Sequence, residues 1–179
     1  GPVVTAPDQP PVLAMTGATG FVGGATLQRA VAAGWQVRAL TRRPQEPRDG
    51  VSWIDGALDR PDSLAAMIAG ADAVLHIAGV VNVPTRAAFE AGNAIATANM
   101  VAAARDAGVA RFVHVSSLAA REPALSNYGW SKERAEAVVI QSALDWTIIR
   151  PPAVFGPGDT DMLDLFRMVG RGIALLPPP

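Results

Sequence analysis

Short apolar runs alternate with longer stretches in which apolar positions recur every three or four residues, and this alternation continues along most of the chain. The first run is Val12-Leu13-Ala14-Met15. It ends in Thr16-Gly17-Ala18-Thr19-Gly20-Phe21-Val22-Gly23. A helical pattern with apolar Phe21, Val22, Ala25, Leu27, Ala30 and Val31 follows, and Gly34 closes it. Further strands are predicted at 36–40, 51–55, 73–78, 111–117 and 146–150, and helices at 61–69, 86–107, 127–144 and 161–169. Pro61 suits a first helical turn, where its missing N–H costs little. Gly108 stops the Ala-rich helix, Pro151-Pro152 break the last strand, and Gly156-Pro157-Gly158 marks a turn. Strands alternating with helices predict right-handed crossovers and a doubly wound, Rossmann-like α/β fold whose parallel sheet is covered on both faces. With a glycine turn after the first strand the expected strand order is 3-2-1-4-5-6, and ligands bind beyond the carboxyl ends of the strands, where strands 1 and 4 diverge.

Length and composition fit one such domain. The chain has 179 residues, 50% hydrophobic and 17% charged, which suits a buried parallel sheet and argues against disorder. Residues 1–11 read as a Pro-rich flexible arm, 12–160 as a dinucleotide-binding domain, and 161–179 as the start of an incomplete C-terminal substrate region. Gly1-Pro2 stands where an initiator Met is expected and reads as a processing scar. A net charge of −1 gives no broad footprint for nucleic acid or an anionic membrane. There are no cysteines, so disulfides and thiolate metal sites are excluded. No apolar run is long enough for a transmembrane helix, no secretory signal is visible, and the expected location is the cytoplasm.

The glycines at 17, 20 and 23 lie between a strand and a helix. Gly17 permits the tight turn, Gly20 lets backbone approach phosphates, and Gly23 lets the helix pack close to the strand with its N-terminal N–H groups facing an anion. An ordinary βα turn is the blander alternative. This loop makes Gly17, Thr19, Gly20, Phe21, Val22 and Gly23 candidate cofactor-binding residues.

Residues 128–132 read Tyr-Gly-Trp-Ser-Lys, which puts Tyr128 and Lys132 on one helix face. An ammonium near a phenol favours the phenolate, and a phenol with pKa ~10 needs roughly 4 kcal/mol of differential stabilisation to work near neutrality. Ser116 and Ser117 end the fifth strand, where a hydroxyl can hold a substrate hydroxyl or carbonyl while Tyr128 exchanges its proton. A surface helix pair is the competing explanation. Against it, Tyr128 is the only tyrosine and follows the serine strand. His76 and His114 read as core histidines, and with no cysteine there is no metal site in the pattern.

The stretches TGATGFVG, HIAG at 76–79, GNAIATANMVAAARDAGVARFVHVSS at 92–117, YGWSK at 128–132 and IIRPPAVFGPGD at 148–159 together resemble an extended or atypical short-chain dehydrogenase/reductase of the NAD-dependent epimerase/dehydratase group. The resemblance implies Ser117, Tyr128 and Lys132 as the catalytic set, with Lys132 also on the nicotinamide ribose. It implies Ala78 and Gly79 beside the cofactor, Asn93 in the supporting helix, and Pro151 and the backbone of Val154 near the carboxamide. Members of the group continue past this length, so the C-terminal substrate region is expected to be truncated or missing.

An acidic residue normally ends the second strand and binds the adenosine ribose of NAD. Here Thr41-Arg42-Arg43 follows Leu40, and two guanidiniums can pair with a 2′-phosphate, so NADP is favoured over NAD. Solvated loop arginines are the alternative, and Arg38 is a weaker phosphate candidate. Where the family usually has Gly-Asp-Leu, this chain has Gly56-Ala57-Leu58. Leu58 can line the adenine pocket, but Ala57 cannot accept a hydrogen bond from the adenine amine. Two functions stay open. One is an oxidoreductase or epimerase/dehydratase-like enzyme moving hydride between nicotinamide and a hydroxyl or carbonyl carbon of a small molecule such as a nucleotide sugar, steroid, aldehyde or ketone. The other is a non-catalytic NAD(P)-binding regulatory or accessory module. Residues 80–86 and 119–127 border the expected substrate pocket. Phe89, Met100, Val101, Val138 and Val139 either form a homodimer interface or face the parent sheet.

Overall fold

Apolar runs become strands and the periodic stretches become helices in a computed structural model that describes residues 9–77, 79–152 and 160–170. The elements are β1 (Val12–Thr16), α1 (Phe21–Ala32), β2 (Gln36–Thr41), β3 (Val51–Asp55), α2 (Pro61–Ile68), β4 (Ala73–His76), α3 (Arg86–Phe89), a π-helical turn (Glu90–Ile95), α4 (Ala96–Ala107), β5 (Arg111–Val115), a 3-10 turn (Leu118–Arg121), α5 (Asn127–Gln141), β6 (Asp145–Ile149) and α6 (Thr160–Gly170). The six strands form one sheet in the expected order, β3-β2-β1-β4-β5-β6, and every ladder is parallel. Thr16 lies beside His76, His76 beside His114, and Val115 beside Ile149, so the carboxyl ends of β1, β4, β5 and β6 align at one edge.

Alternation along each strand divides the core in two. Leu13, Met15, Val37, Leu75 and Val113 pack with Leu27 of α1 and Leu165 of α6 on one face. Ala14, Val74 and Phe112 pack with Leu64 and Met67 of α2, Met100 of α4 and Val139 of α5 on the other. Each of these larger side chains, Ala14 apart, contributes about 1.5–3 kcal/mol relative to exposure. Helix α6 shares the first face: Met162, Leu165 and Val169 are buried there, the Trp35 indole donates to the Val169 carbonyl at 2.9 Å, and Arg29 lies 4.6 Å from the Phe166 ring centroid.

Two expectations are corrected. Strands 4 and 5 end at His76 and Val115, before the predicted 78 and 117. The Ile77 N–H donates to the Thr16 hydroxyl at 3.0 Å, and Ser117 caps the following 3-10 turn by accepting from the Ala119 N–H at 3.1 Å. The predicted helix over 86–107 is interrupted by the π-helical turn. Gly92 fits there because a Cβ would lie 2.5 Å from the Val80 side chain, and Asn93 is turned inward to bond Val80. Finally, Met100, Val101 and Val139 are buried against the sheet, Val138 packs on the same cluster, and Phe89 is buried. Met100, Val101, Val138 and Val139 thus take the parent-sheet alternative.

Candidate functional site

The glycine loop has the geometry its spacing implies. Gly17 has φ +74°, a conformation that favours glycine. A Cβ on Gly23 would lie 1.6 Å from the Gly17 carbonyl oxygen, so only glycine lets α1 seat this close to the turn. Gly20 differs: a Cβ there meets the Gly17 oxygen at 3.5 Å, an ordinary contact. Its lack of a side chain is not required by packing among the described residues. Gly20 is the N-cap of α1, with no side-chain cap and no acidic residue in the first turn to offset the positive end of the helix. Phe21, a candidate on this loop, is 83% exposed, while Val22 packs partly into the core.

Thr19, Thr41, Arg42, Arg43 and Gln45 line a cleft of about 570 Å³ beside this loop. The Thr41 hydroxyl donates to the Arg43 carbonyl at 2.7 Å and so shapes the turn after β2. Arg42 and Arg43 are exposed, and neither guanidinium has a hydrogen bond or ion pair among the described residues. No carboxylate among the described residues lines the cleft. Arg38 is engaged elsewhere: it donates to the Met67 carbonyl at 3.2 Å and to the Ala69 carbonyl, capping α2. Leu58 is partly buried against the second core cluster, and its carbonyl accepts from Asn99 at 2.9 Å.

Across the sheet edge, buried side chains do the positioning. The Asn93 carboxamide accepts from the Val80 N–H at 2.8 Å and donates to the Val80 carbonyl at 3.0 Å and to the Ser131 hydroxyl at 2.9 Å. Ser131 in turn donates to the Tyr128 carbonyl at 2.8 Å. Asn93 therefore ties the chain after Gly79 to the helix that carries Tyr128 and Lys132. A Cβ on Gly79 would lie 2.6 Å from Asn93 Oδ1 and 3.7 Å from Lys132 Nζ, which puts the ammonium beside that backbone.

Lys132 is 4% exposed. Its Nζ approaches the Val115 carbonyl at 3.4 Å, and no carboxylate lies within ion-pair distance among the described residues. Burial, opposed by the charge of Glu136, lowers its pKa to about 8. Tyr128 is half-buried, its ring 6.2 Å from that of Phe89. The two serines divide their roles: the Ser116 hydroxyl donates to Glu136 Oε2 at 2.6 Å, whereas Ser117 caps the next turn through its oxygen. Pro151 is buried, and its carbonyl accepts from the Leu118 N–H at 3.1 Å, joining the end of β6 to the serine loop. Ala78 and Val154 lie outside the described residues.

Behind the edge, His76 is fully engaged. The Thr97 hydroxyl donates to the Asn93 carbonyl at 2.7 Å, so it can only accept from His76 Nε2 at 3.1 Å. His76 Nδ1 then accepts from the Thr16 hydroxyl at 2.7 Å. Burial, with the charge of Lys132 adding to it, lowers the His76 pKa to about 3 and keeps the ring neutral. His114 stacks on His76 with centroids 5.4 Å apart. It is buried with neither ring nitrogen partnered, and burial, with the charges of Lys132 and His76, holds its pKa well below the usual value. A second cleft, of about 580 Å³, lies at the start of α5, lined by Arg86, Pro123, Ala124, Leu125, Ser126, Asn127 and Trp130. It brings the two segments expected to border a substrate together. Arg86 stacks 3.8 Å from the Trp130 ring centroid.

The sequence matches the NAD(P)H-binding family over residues 17–163. The chain belongs to the NAD(P)H-binding domains of the extended short-chain dehydrogenases/reductases. Among its relatives, a ceramide reductase of Caulobacter vibrioides is 43% identical over 168 residues, 92% of this chain and 53% of that protein. The 4-hydroxy-2-methyl-3-oxo-4-farnesyl-3,4-dihydroquinoline-1-oxide ketoreductase of Stigmatella aurantiaca is 32% identical over 173 residues, 83% of this chain and 52% of that protein. A short-chain dehydrogenase/reductase superfamily protein from Agrobacterium tumefaciens, solved with bound NAD, superposes with a TM-score of 0.69 at 28% identity, covering 78% of this chain and 48% of that one. This dehydrogenase/reductase chain thus spans about half the length of the curated relatives it matches. No helix among its described residues is long and apolar enough to cross a membrane.

Two features of this dehydrogenase/reductase site escaped sequence reasoning although the sequence carried signals for them. Lys132 is the only lysine in a chain with 15 Lys and Arg residues, so the chain uses arginine for every other side-chain cation. Glu136, one helical turn after Lys132, is buried and bound by Arg150, a charged residue at the end of an apolar strand that needs such a partner.

Proposed function

We propose that this chain is the nucleotide-binding and catalytic half of an NADP-dependent carbonyl reductase. The observation that carries the reading is Lys132: a buried ammonium beside Gly79, on the helix face that also bears Tyr128, with no carboxylate paired to it among the described residues. The glycine loop suits a diphosphate, since Gly20 leaves room for one and the first turn of α1 carries no acidic residue to repel it. Arg42 and Arg43 suit a 2′-phosphate, because both guanidiniums are exposed and no carboxylate among the described residues shares their cleft. Gly79, Leu58, Pro151 and Lys132 complete the cofactor's surroundings. When bound, the dinucleotide supplies a hydride from its nicotinamide C4.

Tyr128 donates its phenol proton to the substrate carbonyl oxygen, Ser117 donates a hydrogen bond to the same oxygen, and Lys132 stabilises the phenolate left behind. In the oxidative direction the phenolate removes the alcohol proton. Reduction is favoured over epimerisation because the relatives at 43% and 32% identity are both reductases. The substrate enters by the cleft at the start of α5, whose Leu125 is 78% exposed, and its class is a carbonyl on an apolar body.

The test is fluorescence titration with NADPH and NADH, followed by turnover of a panel of long-chain and cyclic ketones. NADPH is expected to bind about tenfold tighter than NADH, an advantage lost in Arg42→Ala. Tyr128→Phe is expected to reduce turnover by about 10²–10⁴ with binding retained. Tighter NADH binding rejects the phosphate assignment. Equal turnover by Tyr128→Phe rejects the catalytic one. Cofactor binding without turnover of any ketone favours a regulatory or accessory module.

A further inference from the structure

The Glu136 carboxylate sits one helical turn from Lys132 yet is not paired with it. Glu136 is 4% exposed. It accepts from the Ser116 hydroxyl at 2.6 Å on Oε2. Arg150 Nε donates to Oε1 at 2.9 Å and Oε2 at 3.0 Å, and Arg150 Nη2 donates to Oε1. An i, i+4 Lys–Glu pair on a helix is normally within reach of a direct ion pair. Here two partners from outside the helix, one at the end of β5 and one at the end of β6, hold the carboxylate instead.

We propose that Arg150 and Ser116 are positioning residues that draw the Glu136 carboxylate away from Lys132 and keep the chain's only lysine ammonium without a carboxylate partner among the described residues. The consequence for turnover rests on the role given to Lys132 above. The electrostatic consequence does not. Burial favours the neutral amine, and Glu136 is the charge that opposes it. The other ionisable groups around Lys132 are Tyr128 on its own helix, and His76 on β4 and His114 on β5, both held neutral by burial. Glu136 and its two partners are therefore the handle on Lys132.

Because Lys132 is the sole lysine, ¹³C-lysine labelling of the whole chain gives one lysine side-chain Cε resonance, and its titration reads Lys132 directly. Arg150→Met leaves the carboxylate to Lys132 and is expected to raise the ammonium's proton affinity about tenfold. Ser116→Ala, a smaller change that is expected to fold even if Arg150→Met does not, should shift it the same way by about threefold. Glu136→Gln should shift it the opposite way, by about tenfold. Opposite signs from neighbouring deletions in one network are not produced by general loosening of the fold. A folded Ser116→Ala whose Lys132 titration matches wild type, or a folded Glu136→Gln that raises the proton affinity, overturns the proposal. Adding NADPH to wild type separates the two readings. If NADPH leaves the lysine resonance unmoved while the variants shift it as expected, the catalytic reading of Lys132 fails and the positioning inference stands.

Discussion

The two halves of the sheet edge are built in opposite ways. On the side of β1 and β2 the candidate site is made of backbone and empty space: glycines at 17, 20 and 23, a helix start with no acidic residue in its first turn, and two exposed arginines without partners among the described residues. On the side of β4, β5 and β6 it is made of buried polar side chains that restrain one another: Asn93 with Val80 and Ser131, His76 with Thr16 and Thr97, Glu136 with Ser116 and Arg150. On the function proposed above, each half is built for a different task. A diphosphate is held by N–H groups and room, which glycine provides at no packing cost. Proton transfer needs a small number of side chains fixed within a fraction of an ångström, which buried, fully bonded networks provide.

The sharpest break on the glycine side is Gly23→Ala. Its Cβ would lie 1.6 Å from a backbone oxygen and 2.5 Å from the carbonyl carbon of Gly17, and neither atom is the end of a flexible side chain. Helix α1 must move off the turn. The expected loss is about 3 kcal/mol or more, read as a drop in urea midpoint. An alanine variant as stable as wild type contradicts the close seating of α1.

The polar side breaks in acid. His76 has a folded pKa of about 3 against an ordinary 6.5. Because the folded value is depressed, the unfolded chain binds the proton first. Stability is therefore full above about pH 6.5 and falls as pH drops toward 3. From this residue alone the loss at pH 4.5 is about 2–3 kcal/mol, and His114 shifts the balance in the same direction. Urea melts at pH 7, 5.5 and 4.5 read the slope. A flat profile between pH 6.5 and 5 contradicts a neutral, buried His76.

Much of the first half was legible in the sequence, because a backbone device leaves its mark in residue type. The spacing of glycines 17, 20 and 23, the Arg42-Arg43 pair where an acidic residue is usual, and the strand order all follow from local pattern. The second half was legible only in part. Tyr128 and Lys132 share a helix, and their spacing is visible. The partners that hold the polar half together come from 14 to 61 residues away in sequence: Arg150 to Glu136, Asn93 to Ser131, Thr16 to Ile77. No periodicity encodes such pairings. The π-helical turn was hidden for the same reason, since it exists to aim Asn93 at a loop that the helix meets only in the folded chain.

A milder variant asks whether the polar half is strained in favour of chemistry. Lys132 has a folded pKa of about 8 against an ordinary 10.5. With the folded value depressed, the charged ammonium is disfavoured by folding at every pH below about 8, and stability rises as pH climbs from 8 toward 10.5. Lys132→Met keeps the length and removes the charge. At pH 7 it is expected to stabilise the chain by about 1–2 kcal/mol, seen as a higher urea midpoint, while weakening NADPH binding. A variant less stable than wild type at pH 7 shows that the ammonium holds the fold together instead of standing ready for a ligand.

The smallest and most discriminating change is Gly20→Ala. Its φ of −82° is open to any residue, and the added Cβ makes only a 3.5 Å contact with the Gly17 oxygen. Folding stability is therefore expected to stay within about 0.5 kcal/mol of wild type. The same methyl stands where a diphosphate would approach the loop, so NADPH affinity should fall about tenfold, equivalent to about 1.4 kcal/mol. Set beside Gly23→Ala, the pair separates two reasons for glycine in one loop: one position makes room for the protein, the other for the ligand. If Gly20→Ala binds NADPH as wild type does, the loop closes a tight turn without cradling a phosphate, and the division between an open half and a restrained half loses its functional meaning.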